Sequence, residues 1–441
     1  MSSDINLGIG GMAAALALGL RGHHVTILES APKLMEVGAG IQASPNMLRL
    51  FDRKSFPCRY LEYIMGLNLS LGWGVSSMVH AKDIALESIT IRRWEDGAVL
   101  STMPVNKAYG QQTVVHRADL HNALITKALA LENVRLKVNS RVTGIKSYHP
   151  AAVALMDGTV VTGDVVVAAD GIKSVLRGEM LGSLAMQPIP TGDAAYRIML
   201  SREVMEQDPE LKALLDSPSA TRWIGPHRHV IAYPVRNHDL LNIVLLHPDD
   251  HEAEESWTTT ASKQTMLRQY HGWDPRLLKL LDLVKEDEVL EWKLCSYPSL
   301  NLWTKGHIAL LGDACHPMLP YVAQGAAQAV EDAAALAILL SIIPSRHAIP
   351  EALRAYEMSR KPRAEAIQQS GMANRTILHL PDGPEQEARD KQFLASRSSA
   401  ANPDKWADAE TQKLLWGWDA EEHALATWSE NMRPPHLESS L

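Results

Sequence analysis

The sequence feature that most constrains the fold is a buried strand that ends in Gly312-Asp313 and is followed by ACHPMLPYVAQGAAQAVEDAAAL. Two prolines shape a turn after the strand, and Gln324-Gly325 then opens a long helix. Small residues along this helix allow a flat ligand to approach the backbone closely. A core helix with a capping turn would explain the alanines, but not the whole HPxxPxxxQGxxxAxED pattern. The stretch therefore predicts a strand–turn–helix ligand site with a carboxylate, Asp313, at the tip of the strand.

A second glycine-rich turn lies near the start of the chain. The sequence GIGG at 8–11 leads into an Ala- and Leu-rich helix, and the buried strand HVTIL then ends at Glu29. Backbone N–H groups at such a helix start can bind a pyrophosphate, and an acidic residue about 20 positions later can bind ribose hydroxyls. Asn6 stands where the first glycine of GxGxxG is expected, and little remains of the apolar strand that should precede the turn. An ordinary helix N-terminus therefore stays open as an alternative.

A third strand-to-turn site is Asp170-Gly171, which follows the apolar run DVVVAA and precedes Ser174 and Arg177. Its carboxylate has the same place after a strand as the carboxylate of Asp313. A turn that only caps the following helix would explain this site almost as well.

The order of strands and helices predicts the fold class. Strands alternate with helices toward both ends of the chain, which is typical of a parallel α/β sheet. Between them, β-rich stretches at 194–200, 221–224, 230–235 and 241–246 indicate a separate antiparallel sheet. The tail from 351 is helical and polar, and its tryptophans are expected in the core or at an interface. The sequence thus predicts an α/β dinucleotide-binding fold with an inserted antiparallel substrate domain and a helical tail.

Composition excludes several other classes of protein. The 441 residues carry a net charge of −8, so no basic field exists to attract nucleic acid. Three cysteines in no CxxC pairing argue against a disulfide scaffold, and no metal site is predicted. The opening MSSDIN lacks the features of a secretory signal, and the longest apolar run, 333–343, is shorter than the roughly 20 residues of a membrane span. We therefore expect a cytoplasmic protein that acts on a small molecule and has no membrane span.

Taken together, the three turns, in this order and spacing, resemble those of the single-component (group A) FAD-dependent aromatic hydroxylases, in particular the salicylate hydroxylase-like branch seen in fungi. The resemblance covers nearly the whole chain. It implies a Rossmann-like FAD-binding domain of the GR2 type, formed by 1–180 and 301–345. It also implies a substrate domain at 181–300 and a C-terminal helical region at 346–441.

The same resemblance implies which residues bind the cofactor. The GIGG turn at 8–11 would bind the ADP part of FAD, the Asp170-Gly171 turn would contact FAD and the nicotinamide cofactor, and Asp313 would hold the ribityl chain. The helix start after Gln324 would offer amides to the flavin pyrimidine edge, where reduction develops negative charge. The loop in VGAGIQASPN would pass under the isoalloxazine, and the arginine of VVHRADLHNAL would lie at FAD unless it is a surface arginine. The implied FAD-binding residues are Gly8, Gly11, Glu29, Ala39, Gly40, Arg117, Asp170, Asp313, Gly325 and Ala326.

Two strand residues are candidates for the substrate side. Arg197 in AAYRIML and Tyr233 in VIAYPVR resemble a pair that orients and deprotonates phenolic substrates in related fungal hydroxylases. A guanidinium would favour the phenolate that electrophilic hydroxylation requires, and a tyrosine hydroxyl can bond the same oxygen. Half-buried sheet residues without a catalytic role are the alternative. We expect His227 and His229 to be solvated at a turn, and His316 to have a structural role.

The implied activity is hydroxylation of a phenolic acid with FAD, NAD(P)H and O2, the OH being delivered by a flavin C4a-hydroperoxide. If a carboxylate lies ortho to the phenol, attack at that carbon would release carbon dioxide, as in salicylate hydroxylation. Two alternatives stay open. One is a flavin-binding homologue without turnover, motivated by the incomplete turn at 8–11. The other is a nicotinamide-only dehydrogenase, in which the Asp170-Gly171 and Gly312-Asp313 turns would have no role. A homodimer is one option for the assembly.

The segment 54–72, KSFPCRYLEYIMGLNLSLG, has no counterpart in the family, whose members run from the preceding helix straight into a Trp-Gly pair, here Trp73-Gly74. It is apolar without a helical or strand period, which is costly on a surface. A lid is one interpretation. We favour a retained intron or a similar gene-model artefact, and we interpret the missing first strand as a second error of the same kind.

Overall fold

The computed structural model describes residues 8–34, 38–53, 72–182, 188–249, 261–395 and 402–431. Within these ranges the strands are β1 (Val25–Leu28), β2 (Gly40–Ala43), β3 (Ile84–Ala85), β4 (Ser88–Arg93), β5 (Val99–Pro104), β6 (Thr113–His116), β7 (Val134–Lys137), β8 (Val142–Tyr148), β9 (Ala151–Leu155), β10 (Val160–Gly163), β11 (Val166–Ala168), β12 (Ile189–Ser201), β13 (Ser219–Gly225), β14 (Arg228–Val235), β15 (Leu240–Pro248), β16 (Leu290–Ser296), β17 (Thr304–Lys305) and β18 (Ile308–Leu310).

The α-helices within the same ranges are α1 (Ile9–Leu20), α2 (Pro45–Asp52), α3 (Ser76–His80), α4 (Arg117–Leu129), α5 (Val175–Leu181), α6 (Arg202–Met205), α7 (Pro209–Asp216), α8 (Lys263–Gln269), α9 (Pro275–Asp282), α10 (Gly325–Ile342), α11 (Ile349–Leu378), α12 (Pro384–Ala395), α13 (Ala409–Trp416) and α14 (Ala420–Asn431). Short 3-10 turns at Gly312–Ala314 and Pro320–Val322 connect β18 to α10.

Two parallel strand pairs mark the dinucleotide-binding part of the molecule. Strand β1 pairs with β7, and β11 pairs with β18. Because the carboxyl ends of parallel strands share an edge, the turns that follow β11 and β18 are brought side by side. The sheet topology thus joins two of the three turns identified in the sequence.

Helices α1 and α10 pack against each other in the main hydrophobic core. A methyl group on Gly10 would lie 2.9 Å from Leu311 and 3.1 Å from Ala329, so glycine is required for this close contact. By length and composition alone helix α10 could cross a membrane, but 83% of it is buried inside the protein. Its apolar character is that of a core helix.

The substrate-domain sheet has seven strands in the order β16-β12-β15-β14-β13-β4-β5. Its neighbours are antiparallel except for β13 and β4, which pair in parallel. The predicted fold class is confirmed. The sheet nevertheless recruits β4 and β5, which precede position 180, so its strands do not follow the division at 180/181 that the sequence suggested.

Side chains of this sheet alternate between two different faces. One face carries Tyr196, Ile198 and Trp223, which form a buried core with α7, α8 and α9. Successive residues on the same strands, including Arg197 and Met199, point to the opposite face. That second face is turned toward the cofactor part of the chain and the C-terminal tail.

Candidate active site

The turns after β11 and β18 are joined by one arginine. Arg177 Nη1 donates to the backbone oxygen of Ala314 at 3.2 Å, and Nη2 donates to that of Ile172. Its guanidinium also stacks over the ring of Tyr297 at 4.3 Å. Since each turn follows a buried strand at the same edge, Arg177 fixes the two predicted binding turns relative to each other.

The carboxylate of Asp170 caps helix α5. Its Oδ2 accepts hydrogen bonds from the backbone N–H groups of Val175 at 2.9 Å and Leu176 at 3.3 Å. The capped-turn interpretation is therefore observed. The second oxygen, Oδ1, is buried without a hydrogen-bond partner among the described residues, so one acceptor stays available for a ligand.

The start of α1 offers backbone N–H groups to an open space. Gly8 is the N-cap, no side chain caps this end, and an added methyl on Gly8 would meet nothing within 4 Å. Gly11, in the first turn, is half-buried. Glu29 directly follows β1 and is buried, and its Oε1 accepts from the Ala31 N–H at 2.7 Å. This arrangement suits a pyrophosphate at the helix start and a ribose near the carboxylate.

The loop at 38–40 is held from two sides. The backbone N–H of Arg117 donates to the oxygen of Ala39 at 2.9 Å, and the Gly40 N–H donates to Asn242 Oδ1 at 2.8 Å. A methyl on Gly40 would lie 2.6 Å from the ring of Tyr233, so only glycine fits between the loop and the substrate sheet. The loop predicted to lie beneath a flavin thus contacts both α4 and the sheet.

Asp313 lies at the bottom of a cleft. Its side chain is open to solvent, yet the surrounding protein desolvates it and raises the pKa of its carboxyl. His316, Arg117 and Arg177 act in the opposite direction and lower that pKa. Arg117 is half-buried at the start of α4, and burial lowers its pKa while Asp313 raises it. Arg117 is therefore part of the cleft and not a surface arginine.

The start of α10 also opens into space. Gln324 is its N-cap without a side-chain cap, and Gly325 and Ala326 are half-buried. Ala323, just before, adopts a left-handed conformation with φ 52°, which is costly for a residue with a side chain. The turn is thus held in a strained shape that leaves the first N–H groups of an 18-residue helix accessible.

Two cross-strand rows lie on the face of the sheet that carries Arg197. Arg197 lies opposite Val244, which lies opposite Ile231, and all three are half-buried although neighbouring strand positions are fully buried. In the next row Met199 lies opposite Asn242, which lies opposite Tyr233. Directly opposed residues share a face. The partial exposure of the first row therefore marks a hollow with apolar walls and Arg197 at one end.

The electrostatics of Arg197 and Tyr233 link them to the cofactor cleft. Burial lowers the pKa of Arg197 to about 10, and repulsion by Arg117 adds to this effect while Tyr233 opposes it. Burial raises the pKa of Tyr233, against the attraction of Arg197. The guanidinium of Arg197 stacks over the ring of Trp292 at 4.1 Å. The predicted substrate residues and the predicted cofactor residues Arg117 and Asp313 therefore form one connected site.

A buried network of ion pairs and hydrogen bonds fixes the elements that form this site. Asp332 accepts from the Gly312 N–H at 3.0 Å, from His316 Nε2 at 2.5 Å and from Arg360 Nε at 2.8 Å. Burial alone would raise the pKa of Asp332, but His316 and Arg360 lower it to about 2. Glu331 accepts from Arg360, from Arg363 at 2.8 Å and from Asn46 Nδ2 at 2.6 Å. These bonds fix the Gly312 turn, α2, α10 and α11 as one unit.

His316 takes the structural role that the sequence suggested, as a partner of Asp332. Cys315, His316 and Asp332 form the one group of candidate metal ligands within the described part of the chain. The guanidinium of Arg360 already neutralises the carboxylate in that group. A metal ion there would be repelled by this fixed positive charge.

The expectation for His229 was wrong. His227 is exposed at the turn, but His229 is buried, and its Nδ1 lies 2.8 Å from Nε2 of His379. His379 ends α11, so a partner 150 residues away in sequence buries this histidine. The predicted tail tryptophans Trp406 and Trp416 are core residues, as expected.

Sequence reasoning also missed Asn242, Arg360 and Arg363. Asn242 is fully buried, and its only sequence signal is a polar residue within the apolar run LLNIVLL. Glu331 and Asp332 of α10 belong to the motif identified in the sequence. No local sequence pattern indicates that their partners are two arginines on α11. Asn242 bonds the loop at Gly40, and Arg360 bonds Asp332, which in turn accepts from the Gly312 N–H.

Two turns at one sheet edge, two open helix starts, and a cleft that ends at an Arg–Tyr hollow define a dinucleotide-binding flavoprotein. An FAD fits these residues, because among the described residues both helix starts, at Gly8 and at Gly325, face open space, and the Asp313 side chain is exposed on the turn that leads to α10. The chain matches the FAD binding domain family over residues 7–370, and it belongs to that family.

Relatives of known activity agree with this assignment. The FAD-dependent monooxygenase atnJ of Arthrinium sp is 43% identical over 417 residues, which cover 94% of this chain and 93% of the relative. The 3-hydroxybenzoate 6-hydroxylase of Polaromonas naphthalenivorans is 29% identical over 93% of this chain and 94% of its own. A salicylate hydroxylase solved as a substrate complex shares the fold, with a TM-score of 0.74 and 23% identity over 96% of each chain.

The predicted family, enzyme class and cofactors are confirmed. The chain is a flavoprotein monooxygenase of the aromatic hydroxylase family, and that family uses FAD with NAD(P)H. This finding excludes the alternative of a nicotinamide-only dehydrogenase.

Proposed function

We propose that this monooxygenase hydroxylates a phenolic acid of the salicylate type. The observation that carries the proposal is the hollow formed by Arg197, Val244 and Ile231, with Tyr233 in the adjacent row and the Gly40 loop against it. A flat ring fits apolar walls on a sheet face, and a fixed cation at one end selects an anionic substituent. Arg197 and Arg117 repel each other electrostatically, so an anion between them would be stabilised.

Arg197 is placed to hold the phenolate or carboxylate. Its pKa of about 10 keeps it charged at neutral pH, and the Trp292 ring beneath it fixes the plane of the guanidinium. A planar cation in a fixed orientation can donate two parallel hydrogen bonds to a carboxylate. Arg197 would therefore orient the ring and stabilise the electron-rich form that hydroxylation needs.

Tyr233 would act as a hydrogen-bond donor in the resting site. Burial raises its pKa, so the phenol stays protonated at neutral pH. Its hydroxyl can then donate to a substrate oxygen held by Arg197. The attraction of Arg197 for a tyrosinate offsets the effect of burial only in part, so Tyr233 keeps its own proton while it donates to the substrate oxygen.

FAD, when bound, supplies the redox chemistry, being reduced by the nicotinamide cofactor and activating O2. The overall balance is Ar–H + O2 + NAD(P)H + H⁺ → Ar–OH + H2O + NAD(P)⁺. Where the attacked carbon carries a carboxylate, carbon dioxide leaves in place of the ring proton. The residues of the chain orient the ring, hold its charge and exclude water from the hollow.

The test begins with the visible spectrum of the purified protein and continues with NADH consumption in the presence and absence of salicylate and 3-hydroxybenzoate. A flavin spectrum and oxidation stimulated at least tenfold by one of these acids, with hydroxylated product, support the proposal. Flavin without stimulation by any phenolic acid would support the alternative of a flavin-binding homologue without turnover. A colourless protein indifferent to added FAD would overturn both.

We further propose the division into an FAD-binding part (1–180 and 301–345), a substrate part (181–300) and a tail (346–441), in which β4 and β5 of the first part extend the sheet of the second. We also propose a cytoplasmic location and a homodimeric assembly. The buried free thiol of Cys315 supports a reducing compartment. Size-exclusion chromatography with light scattering tests the dimer directly.

A further inference from the structure

A second cavity lies between the substrate sheet and the C-terminal tail. Trp406 and Trp416 form one wall, and Ile89 and Met103 form another. Its volume is about 70 Å³. A water molecule needs about 10–15 Å³ of such space, so there is room for about five water-sized groups. Exposed Pro104 belongs to its lining, which connects the cavity to solvent.

This cavity lies on the same face of the sheet as Arg197, but away from the hollow at that residue. Ile89 is opposite Met103 on β5 and opposite Ala220 on β13, and Ala220 packs in one apolar cluster with Tyr233. Strand β4 is two strands away from β14, which corresponds to about 10 Å. Ala220 is 1% exposed, so packed side chains separate the cavity from Tyr233.

Two polar atoms of side chains that line the cavity are buried without a hydrogen-bond partner in the described part of the chain. They are the indole Nε1–H of Trp416 and Oε1 of Gln112. The orientation of the Gln112 amide is set by its Nε2, which donates to Gln42 Oε1 at 3.2 Å. Buried polar groups are almost always paired, and an unpaired one costs about 1–3 kcal/mol. One free donor and one free acceptor at the same cavity call for a ligand that carries both.

The lining also specifies the charge of the ligand, because none of the residues around the cavity is charged. An ion would therefore enter without compensation, which is strongly unfavourable. The two tryptophan rings meet edge to face at a centroid distance of 5.9 Å and offer a flat apolar surface. The site differs in this respect from the cationic hollow at Arg197.

We propose that this cavity is a second binding site, specific for a small uncharged planar group with a donor and an acceptor side by side, as in a carboxamide or a lactam. The ligand carbonyl accepts from Trp416 Nε1–H, and its N–H donates to Gln112 Oε1. The site is independent of hydroxylase turnover, and its ligand contacts the Gln112–Gln42 pair that reaches β2, the strand continuing from the Gly40 loop.

The test uses saturation-transfer NMR of the FAD-loaded full-length protein with 2-pyrrolidone, a lactam of suitable size, and cyclopentanone, which has the same ring without the N–H. We expect a saturable signal from 2-pyrrolidone and a signal at least fivefold weaker from cyclopentanone. Trp416→Phe should lose the 2-pyrrolidone signal. Trp406→Phe is the matched control, because its indole N–H is not among the unpaired buried groups, and it should retain the signal.

Three results would overturn the proposal. No signal from 2-pyrrolidone with the parent protein would mean that the cavity holds water only. An equal signal from parent and Trp416→Phe, with circular dichroism showing both folded, would place the lactam elsewhere. Displacement of 2-pyrrolidone by salicylate would show that the cavity is part of the hydroxylation site and not a second one.

Discussion

The backbone carbonyl of Arg53 touches Gly72, although the whole of 54–71 lies between them in sequence. A methyl group on Gly72 would collide with that oxygen. Beside this contact the rings of Phe51 and Trp73 pack with centroids 5.5 Å apart. The chain therefore returns to its starting point across this segment. The segment itself lies outside the described residues, and so does the short N-terminal stretch before Gly8.

We expect deletion of 54–72 to leave a folded protein with undiminished FAD content. Arg53 and Gly72 are already in contact, so the ends to be joined lie close together. Removing the long connection lowers the conformational entropy of the unfolded chain, which stabilises the folded state by up to about 2 kcal/mol. Tm and the ratio of absorbance at 450 to that at 280 nm measure the outcome. Restoring an apolar first strand with glycine at Asn6 should raise FAD occupancy further. A deletion variant with a lower Tm or less FAD would show that the segment is needed, and transcript sequencing across Arg53/Lys54 tests the gene-model hypothesis directly.

Replacement of Asp313 by Ala should weaken FAD binding about tenfold to a hundredfold. A carboxylate in the cleft can accept bonds from two ribityl hydroxyls, and hydrogen bonds to a charged group contribute about 1.5–3 kcal/mol. Fluorescence titration of the apoprotein with FAD gives the Kd. Asp164→Ala, a change at an exposed carboxylate just before β11, is the control and should have the parental Kd. Equal FAD affinity in Asp313→Ala and parent removes Asp313 from the cofactor site.

Replacement of Arg197 by Met should separate cofactor binding from substrate chemistry. FAD affinity is expected to stay within twofold, while substrate-stimulated NADH oxidation falls by about a hundredfold or more, because the fixed cation that stabilises the substrate anion is lost. Stopped-flow reduction with and without salicylate measures this. Arg202→Met, at the surface beyond the same strand, should behave as the parent. Normal hydroxylation by Arg197→Met would make Arg197 a sheet residue only.

Replacement of Arg360 by Met should destabilise the protein strongly. The change leaves Glu331 and Asp332 buried with reduced compensation, and breaking a buried ion pair costs about 3–5 kcal/mol. Urea unfolding monitored by tryptophan fluorescence gives the free energy of unfolding. Lys361→Met, the next residue on α11 with a weak ion pair to Glu365, should change it by less than about 0.5 kcal/mol. A loss below about 1 kcal/mol for Arg360→Met would contradict the role of the network.

The His229–His379 pair predicts loss of stability in acid. Burial lowers the pKa of His379 to about 4 in the folded protein, against 6.5 when unfolded. The unfolded chain therefore takes up a proton first, so stability is complete above pH 6.5 and falls as the pH drops toward 4, by up to about 3 kcal/mol. Burial also lowers the pKa of His229, which acts in the same direction.

Unfolding free energies measured between pH 7 and pH 4 test this dependence. The slope of the unfolding free energy against pH should decrease in His379→Asn, which removes the titrating ring. It should decrease much less in His227→Asn, because His227 is exposed at the neighbouring turn and contributes less than burial to the lowered pKa of His379. An unchanged slope in His379→Asn would show that His379 titrates normally.

Local patterns predicted those parts of the molecule that local interactions form. The helix from Gly325 to Ile342 begins where it was predicted to begin, since small residues and a Gln-Gly start specify it within one segment. Asp170 and Asp313 each follow an apolar strand, as the local sequence indicated. Three features depend on distant partners and could not be predicted: the burial of His229 by His379, the addition of β4 and β5 to the substrate sheet, and the pairing of Glu331 with Arg360 and Arg363.

The alternation of side chains along β12, β14 and β15 has a consequence for how such an enzyme can change over generations. Positions that would contact the substrate under the proposed function and positions that form the helix-covered core are interleaved on the same strands, one residue apart. A substitution at one of the former would therefore alter selectivity while its two neighbours keep the sheet anchored. Under that function a lineage could exchange one substrate for another in single steps without losing the core of the sheet.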